Sequence, residues 1–169
     1  LHHFTLDPYC RRMRLALGEY GVLAELREEK PWAPSDILLN LNPTGLTPIY
    51  LEDSGAVVCG AEALTEYLEE TLGDVIQLIP GNPMQRAEVR RVQAWFDVKF
   101  YTEVTEPILT EKVISRFMPS AHRSGSPDMA RVRRARELLR AHLDYISALV
   151  EERNYLAGNQ VSLADLAGA

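Results

Sequence analysis

The chain has 169 residues, of which 46% are hydrophobic, and a formal net charge of −6. A chain of this length can bury enough apolar surface for one domain or for two small ones. The negative charge argues against a protein that coats nucleic acid or an acidic membrane. No apolar run approaches the ~18 residues of a membrane-spanning helix, and no signal peptide opens the sequence. We therefore expect a cytoplasmic protein without membrane insertion.

The cysteines and histidines do not predict a metal site. Cys10 and Cys59 form neither a disulfide framework nor the spacing of metal ligands. The histidines are scattered, apart from a pair at His2 and His3 that we assign to a strand. The sequence therefore gives no reason to expect a bound metal.

Residues 1–17 predict a strand, a tight turn and the start of a helix. The apolar run Leu1–Phe4 is too short for a helix and is followed by turn-forming residues, so it indicates a buried strand. Asp7 before Pro8 predicts a helix start, because Asp accepts hydrogen bonds from first-turn amides and Pro fits the first helical position. Cys10 lies in that first turn, where amide dipoles favour an anion or a thiolate. We expect any chemistry at this turn.

The next segments predict a helix, a strand and a loop. The helix is expected to run to about Tyr20, with Gly21 in the left-handed conformation after it. Val22–Glu28 has strand character, although its apolar content is weak. Pro31–Pro34 must be a loop, since two prolines exclude both helix and central strand. The buried side chains expected in the helix are Met13, Leu15 and Leu17.

A second helix, a hairpin and a third helix complete the predicted first domain. The second helix covers Ile37–Leu41 and is capped by Ser35 or Asp36. Strands at Thr47–Leu51 and 56–59 are joined by a short turn, and the amphipathic helix Ala61–Leu72 follows. The order predicts a small α/β layer with a mixed sheet.

The second half of the chain is predicted to be helical. The linker 77–83 contains the clearest turn signal, Pro80-Gly81-Asn82-Pro83. One long helix is expected from about Met84, then a polar loop over Ser120–Pro127 and another long helix. His142 lies on the apolar stripe of that helix and is expected to be a hydrogen-bonded core histidine. Ser162 and Asp165 predict the start of a last helix.

This organisation resembles the glutathione transferase superfamily. The residues that carry the resemblance lie at Asp7–Cys10, at Asn42–Ile49, where the second proline is cis in the family, and in a capping box near the end. The resemblance implies a thioredoxin-like α/β N-terminal domain at 1–76, the linker at 77–83, and an all-α C-terminal domain at 84–169. It also implies that the last helices of the second domain are missing from this sequence.

The resemblance also implies the candidate site residues. Thr47 and Pro48 occupy the family's cis-proline loop, and Gly60 and Ala61 occupy the helix start that binds the glutathione carboxylate. Asp7 stands where catalytic members carry the group that stabilises the thiolate. A carboxylate is an acceptor and negative, so we expect it to raise a thiol pKa. The alternative is that Asp7 is simply a helix cap.

Two further observations bear on catalysis. Family members carry Glu-Ser or Gln-Ser at the position of Gly60-Ala61, so here both side-chain contacts to glutathione are lost and only amides remain. Cys10 could act as a thiol near a helix N-terminus, or could be buried and inert. The first interpretation is therefore a non-catalytic protein with no cofactor. The alternative is a glutathione-dependent transferase or thiol enzyme acting on a small electrophile.

A narrower resemblance is to the FtsZ-binding branch of the superfamily in alphaproteobacteria. It rests on Cys59-Gly60-Ala61, Pro31-Trp32 and the segment Ala87–Phe96. This resemblance implies a non-enzymatic homodimer that binds filaments of the tubulin-like division protein FtsZ.

Three residues are candidates for contacting a partner protein. Arg11 and Arg12 belong to an arginine cluster, and arginine suits bidentate recognition of carboxylates. Trp32 lies in a proline-flanked loop and could anchor a partner. The alternatives are solvated helix faces for the arginines and a core contact for the tryptophan.

Overall fold

In the computed structural model, the first residues pair at once with strands from later in the chain. The structure describes residues 1–119, 121 and 125–169. These form two units, Leu1–Pro80 and Gly81–Gly168, and the boundary between them falls within the segment 77–83 that the sequence indicates as a linker.

The first unit contains a four-stranded sheet in the order β2-β1-β3-β4. β1 pairs in parallel with β2 and antiparallel with β3, and β3 pairs antiparallel with β4. The predicted mixed sheet and the hairpin are therefore confirmed. The strands are β1 His2–His3, β2 Arg27–Glu28, β3 Ile49–Leu51 and β4 Val57–Cys59.

Three helices accompany the sheet, and each begins where the sequence predicts within one residue. α1 begins after the cap Asp7, and α2 after Ser35, whose side chain accepts a hydrogen bond from the amide of Leu38. α3 begins after Gly60 and buries Leu64 and Leu68. Their bounds are α1 Pro8–Glu19, α2 Asp36–Leu41 and α3 Ala61–Leu72.

Two expectations for this unit are wrong. Leu15 is 37% exposed, because it lies two residues from both Met13 and Leu17 and so projects from the opposite side of α1. The strand predicted at Val22–Glu28 is reduced to β2, where only two residues pair with β1.

A buried carboxylate ties the end of α3 to the residues that follow it. Glu69 is 6% exposed and accepts a hydrogen bond from the hydroxyl of Tyr20 at 2.7 Å. The same Glu69 oxygen accepts from the amides of Leu78 and Ile79, whose side chains are fully buried. Residues 78 and 79 therefore belong physically to the first unit.

The second unit begins with a long continuous helix in which α-helical and wider π-helical segments alternate. α4 begins at a capping box in which Asn82 and Gln85 bond each other's backbone amides. After α4 the chain continues without a break through two π-helical segments, Trp95–Thr105 and Thr110–Ile114. The α-helices of this unit are α4 Pro83–Ala94, α5 Glu106–Leu109, α6 Ser115–Phe117, α7 Met129–Glu151 and α8 Leu163–Gly168.

The core of the second unit includes an aromatic cluster around Trp95. Its ring lies 5.1 Å from His142 and 4.7 Å from Tyr145, measured between centroids. His142 is 4% exposed and bonds a Glu103 carboxylate oxygen at 2.8 Å. The expectation of a hydrogen-bonded core histidine is confirmed.

The start of α8 also follows its sequence signal. Asp165 accepts from both the amide and the hydroxyl of Ser162, and its other oxygen accepts from the amide of Leu156 at 2.8 Å. The loop predicted over Ser120–Pro127 lies partly outside the described residues. Among the residues described, no helix combines the length and apolarity of a membrane span.

Candidate functional site

The turn between β1 and α1 is organised by one carboxylate. Asp7 has an extended backbone, with φ −78° and ψ 124°, and its Oδ2 accepts a hydrogen bond from the amide of Cys10 at 2.8 Å. Pro8 occupies the first helical turn, where its missing N–H costs nothing. The predicted cap is confirmed. Burial raises the pKa of Asp7, although bonding to Cys10 and the nearby Arg12 and Arg14 work in the opposite direction.

Cys10 is present at the turn but is protected from reaction. Its side chain has no exposed surface, and its Sγ lies 3.4 Å from the hydroxyl oxygen of Thr47. Burial, reinforced by the negative charge of Asp7, raises the pKa of the thiol from 9.0 to about 12. The thiolate is the nucleophilic form of cysteine. Burial and a raised pKa together argue against Cys10 as a reactive thiol.

The cis-proline loop joins this turn to the start of α3. The peptide bond between Thr47 and Pro48 is cis, which confirms the expectation drawn from the family resemblance. The carbonyl of Pro48 accepts from the amide of Gly60 at 2.9 Å. Gly60 has φ 90°, a conformation that side chains rarely adopt, and Ala61 behind it is 8% exposed. The local backbone therefore explains glycine at this helix start.

The structure thus connects all the residues that the resemblance assigns to the glutathione site. The contacts run from Asp7 to Cys10, from Cys10 to Thr47, and from Pro48 to Gly60. The helix N-terminus after Gly60 carries the partial positive charge that suits a carboxylate. By contrast, Asp7 places a carboxylate where catalytic members of the family carry the group that stabilises the thiolate. The arrangement can hold a small acidic group and is poorly suited to stabilising a thiolate.

Only one of the two arginines predicted to contact a partner lies at the surface. Arg11 is exposed, but Arg12 is 1% exposed, with its guanidinium 5.9 Å from the ring centre of Tyr9. The prediction of Arg12 as a partner contact is therefore wrong. The reason is geometric: Arg12 lies four residues before the buried Ala16 and shares its face of α1.

Trp32 is half-buried and lies against the first strand. Its ring meets that of Phe4 edge to face, with centroids 5.9 Å apart. The contact with Phe4 supports the core-contact interpretation, and because part of the side chain remains exposed, the partner contact stays a prediction.

Sequence reasoning missed the group that holds the Trp32 loop. Glu29 is 7% exposed and accepts from His2 Nδ1 at 2.8 Å and from the hydroxyl of Ser35 at 2.9 Å. Burial alone would raise the pKa of Glu29, but the hydrogen bonds from His2 and Ser35 outweigh it and lower the pKa. Glu29 thereby fixes both ends of the segment that carries Trp32. The nearby sequence signals, the proline loop and the helix cap at Ser35, do not indicate a buried carboxylate at Glu29.

Comparison with known protein families finds a match to the first unit. A family model described as the glutathione S-transferase N-terminal domain matches residues 1–75. The chain is also 41% identical over 172 aligned residues to FtsZ-localized protein A of Caulobacter vibrioides. That alignment covers the whole of this chain and 73% of the relative.

Solved structures give the same result. The chain is similar to a glutathione S-transferase from Rhodospirillum rubrum F11, with a TM-score of 0.93 and 38% identity over 99% of this chain and 73% of that one. It is also similar to FzlA from C. crescentus, with a TM-score of 0.89 and 40% identity over 99% of this chain and 74% of that one. The chain spans about three quarters of these relatives.

Proposed function

The chain belongs to the glutathione S-transferase superfamily. Within that superfamily, we propose that it is a non-catalytic adaptor that binds FtsZ filaments. The observation that carries the proposal is the 41% identity to FtsZ-localized protein A, which extends over the whole of this chain. The adaptor works without a cofactor, in the cytoplasm, where FtsZ filaments form.

The geometry of the site supports a role other than catalysis. A glutathione transferase lowers the thiol pKa of bound glutathione with hydrogen-bond donors and positive potential. Here the carboxylate of Asp7 stands at that position, and the Cys10 thiol in the same turn has its pKa raised to about 12 by burial and by Asp7. Each feature opposes formation of a thiolate at this turn.

Co-sedimentation with polymerised FtsZ tests the adaptor function. We expect the full-length protein to pellet with filaments at low salt and less well at physiological salt, because screening shortens to about 8 Å there. Failure to pellet with demonstrably formed filaments would contradict the proposal.

Two substitutions then locate the contact in the first unit. If charge dominates, Arg11→Glu weakens co-sedimentation about fivefold or more, whereas Trp32→Ala has the larger effect if an aromatic anchor dominates. The matched control is Arg27→Glu, an exposed arginine of β2 that pairs with Glu25. Equal loss from the control would show that the effect is only a change in net charge.

A glutathione-dependent transferase is the second candidate function. The observation that favours it is the backbone at the position of the family's glutathione site, with the cis bond before Pro48 and the contact from Gly60. We expect no appreciable conjugation of glutathione to chlorodinitrobenzene and no heat of glutathione binding by calorimetry. Turnover well above the uncatalysed rate, abolished by Cys10→Ser, would reverse the order of the two candidates.

The adaptor acts as a homodimer. One support is an exposed stripe along α4 and the start of the following π-helical segment, in which small and apolar residues recur at intervals of three, seven and four, with the exposed Arg91 inside the interval of seven. Met84 is 79% exposed and Val98 is 66% exposed, a large apolar surface for a solvated helix. The other members of this α4 stripe are Ala87 and Ala94.

A further inference from the structure

A second exposed line of residues runs along α7. Its members recur at alternating intervals of four and three residues, and all are exposed. The line has apolar residues toward its ends, with Met129 49% exposed and Leu143 51% exposed, and arginines between them. We call this line the α7 seam: Met129, Arg133, Arg136, Arg140, Leu143, Ser147 and Val150.

The α7 seam is distinct from the face that α7 buries. The buried residues of the helix include Val132, Ala135, His142 and Leu149. Arg133, Arg136, Leu143 and Val150 each follow one of these by one position, which turns the seam about 100° from the core face. The alternating spacing of four and three is the one along which two helices pack side by side.

The arginines of the seam differ from the others in α7. Arg131 bonds both Glu106 and Glu111, and Arg134 lies 3.6 Å from Glu137. Within residues 1–119, 121 and 125–169, the structure gives no hydrogen bond or ion pair to the three guanidinium groups of the seam.

The seam arginines are also close enough to repel one another. Arg133 and Arg136 are three residues apart, and Arg136 and Arg140 are four apart, so the three lie on one line of the helix surface. Like charges at these spacings destabilise a helix. Glu137 and Asp144, four residues after Arg133 and Arg140, offset part of this repulsion, and a carboxylate partner would offset more of it.

We propose that the α7 seam binds an acidic amphipathic helix of another protein. The partner helix carries carboxylates at a matching spacing opposite Arg133, Arg136 and Arg140, with apolar residues that reach Met129 and Leu143. Bidentate pairing of guanidinium with carboxylate sets the register, and the apolar ends add buried surface. This surface is separate from the filament contact and goes beyond the proposed adaptor function.

A protein helix fits the seam better than a membrane does. A helix that lies on a bilayer inserts a continuous apolar face below its basic residues. In α7 the continuous apolar face is buried in the second unit, and the seam offers isolated apolar residues beside the arginines. The net charge of −6 also makes the seam a local basic line on an acidic molecule, which favours specific over general attraction to anions.

A synthetic peptide tests the proposal. The probe is a helical peptide with glutamates at the central positions of a repeat of four and three, and leucine at each end. Its control has the same composition in scrambled order. Titrated by fluorescence anisotropy with the full chain, the probe is expected to bind with a dissociation constant of about 10 μM and more weakly at high salt. The scrambled peptide is expected to bind at least about tenfold more weakly.

Variants of α7 decide whether the seam is responsible. Arg136→Glu is expected to weaken binding of the probe about tenfold, whereas Arg134→Glu, on the next line of the helix, leaves it within about twofold. Arg136→Glu also relieves repulsion in the row, so the thermal midpoint stays equal or rises. If that variant does not fold, the double variant Arg133→Gln with Arg140→Gln serves in its place.

The opposing results are distinct from failure of the adaptor function. Equal binding of the scrambled peptide, or equal loss from Arg134→Glu, overturns the seam as a specific surface. The proposal is also overturned if the wild-type protein binds phosphatidylserine vesicles but not the probe, and Arg136→Glu abolishes the vesicle binding. That result would assign the seam to a membrane. Wild-type protein that binds the probe but does not pellet with FtsZ supports the seam and contradicts the adaptor. If Arg136→Glu no longer pellets with FtsZ and the wild-type protein does not bind the probe, the seam belongs to the filament contact and is not a separate site.

Discussion

At the scale of single residues, Asp7 links the folding of α1 to the loss of thiol chemistry. Its carboxylate accepts the amide of Cys10 and so begins the helix. The same negative charge, with burial, holds the Cys10 thiol in its protonated form. A hydrogen-bond donor at this position would favour a thiolate. The identity of this one side chain therefore decides whether the turn only caps a helix or could also support thiol catalysis.

Asp7→Asn tests this dual role, because Asn caps a helix about as well as Asp but carries no charge. We expect the pKa of Cys10 to fall below about 12 yet stay above its ordinary 9.0, since burial is the larger cause of the shift and remains. The ultraviolet absorbance of the thiolate, followed against pH in a Cys59→Ser background, measures it. An unchanged pKa would show that burial alone protects the thiol.

Local chemistry explains which residues could be predicted. The cap Asp7, the left-handed Gly21 with φ 72° and the cis bond before Pro48 each follow from their immediate neighbours or from a short motif. Arg12 and Leu15 were misplaced, because residue type suggests exposure for one and burial for the other. Their positions around α1 decide their exposure instead. The long apolar stem of an arginine lets it be buried when it lies on the core face of the helix.

At the scale of elements, one carboxylate connects α4 to α7 and to the chain beyond it. Glu88 on α4 accepts from Arg91 at 2.7 Å and from Arg153 at 2.7 Å, and Arg91 also donates to the hydroxyl of Tyr145. Bonding to Arg91, then to Arg153, lowers the pKa of Glu88 to about 2 even though partial burial opposes it. The charge on Glu88 therefore supports the packing of these helices.

Glu88→Gln is expected to lower the free energy of unfolding by about 1 kcal/mol at neutral pH, an amount reduced by solvent screening. A carboxylate whose folded pKa is depressed stabilises the fold above its unfolded pKa, here 4.5, and loses that effect as the pH falls toward 2. The difference between variant and wild type should therefore shrink toward acid pH in urea titrations.

The matched control for this prediction is Glu137→Gln. Glu137 is an exposed glutamate of α7 that lies 3.6 Å from Arg134. Its removal should change stability by only a few tenths of a kcal/mol. An equal effect of both substitutions would contradict a special role for Glu88.

The π-helical segments are a feature that the sequence pattern did not predict. Val92, Phe96, Phe100 and Val104 recur every four residues. In an α-helix that interval overshoots a full turn by about 40° at each step, so the line would drift off one face. A helix closed by bonds from i to i+5 has wider turns, so the same interval no longer overshoots a full turn. This interval does not by itself predict widened helix, because Leu64, Leu68 and Leu72 follow it in α3, which is α-helical.

At the scale of the whole molecule, the exposed α4 stripe leads to a prediction about assembly. Sedimentation of the 19.0 kDa chain should give a particle of twice that mass, because Met84 and Val98 are left in solvent in the single chain. Val98→Glu is expected to shift the equilibrium to monomer. The control is Val75→Glu. Val75 is 85% exposed but lies outside the α4 stripe, so this change should leave the dimer intact. A monomer in the wild type would contradict the homodimer.

The hydrogen bonds of Glu69 have a consequence for how such proteins can be recombined. The match to the N-terminal family model ends at residue 75, yet the amides that satisfy this buried carboxylate belong to Leu78 and Ile79. A gene fusion joined at residue 75 would take these two positions from another chain. The buried carboxylate would then keep its partners only if the new segment held its amides in the same place, and two core side chains would be replaced. An exchange joined at residue 80 keeps both. Viable chimeras of this family should therefore have their crossovers a few residues beyond the point where the N-terminal family model ends.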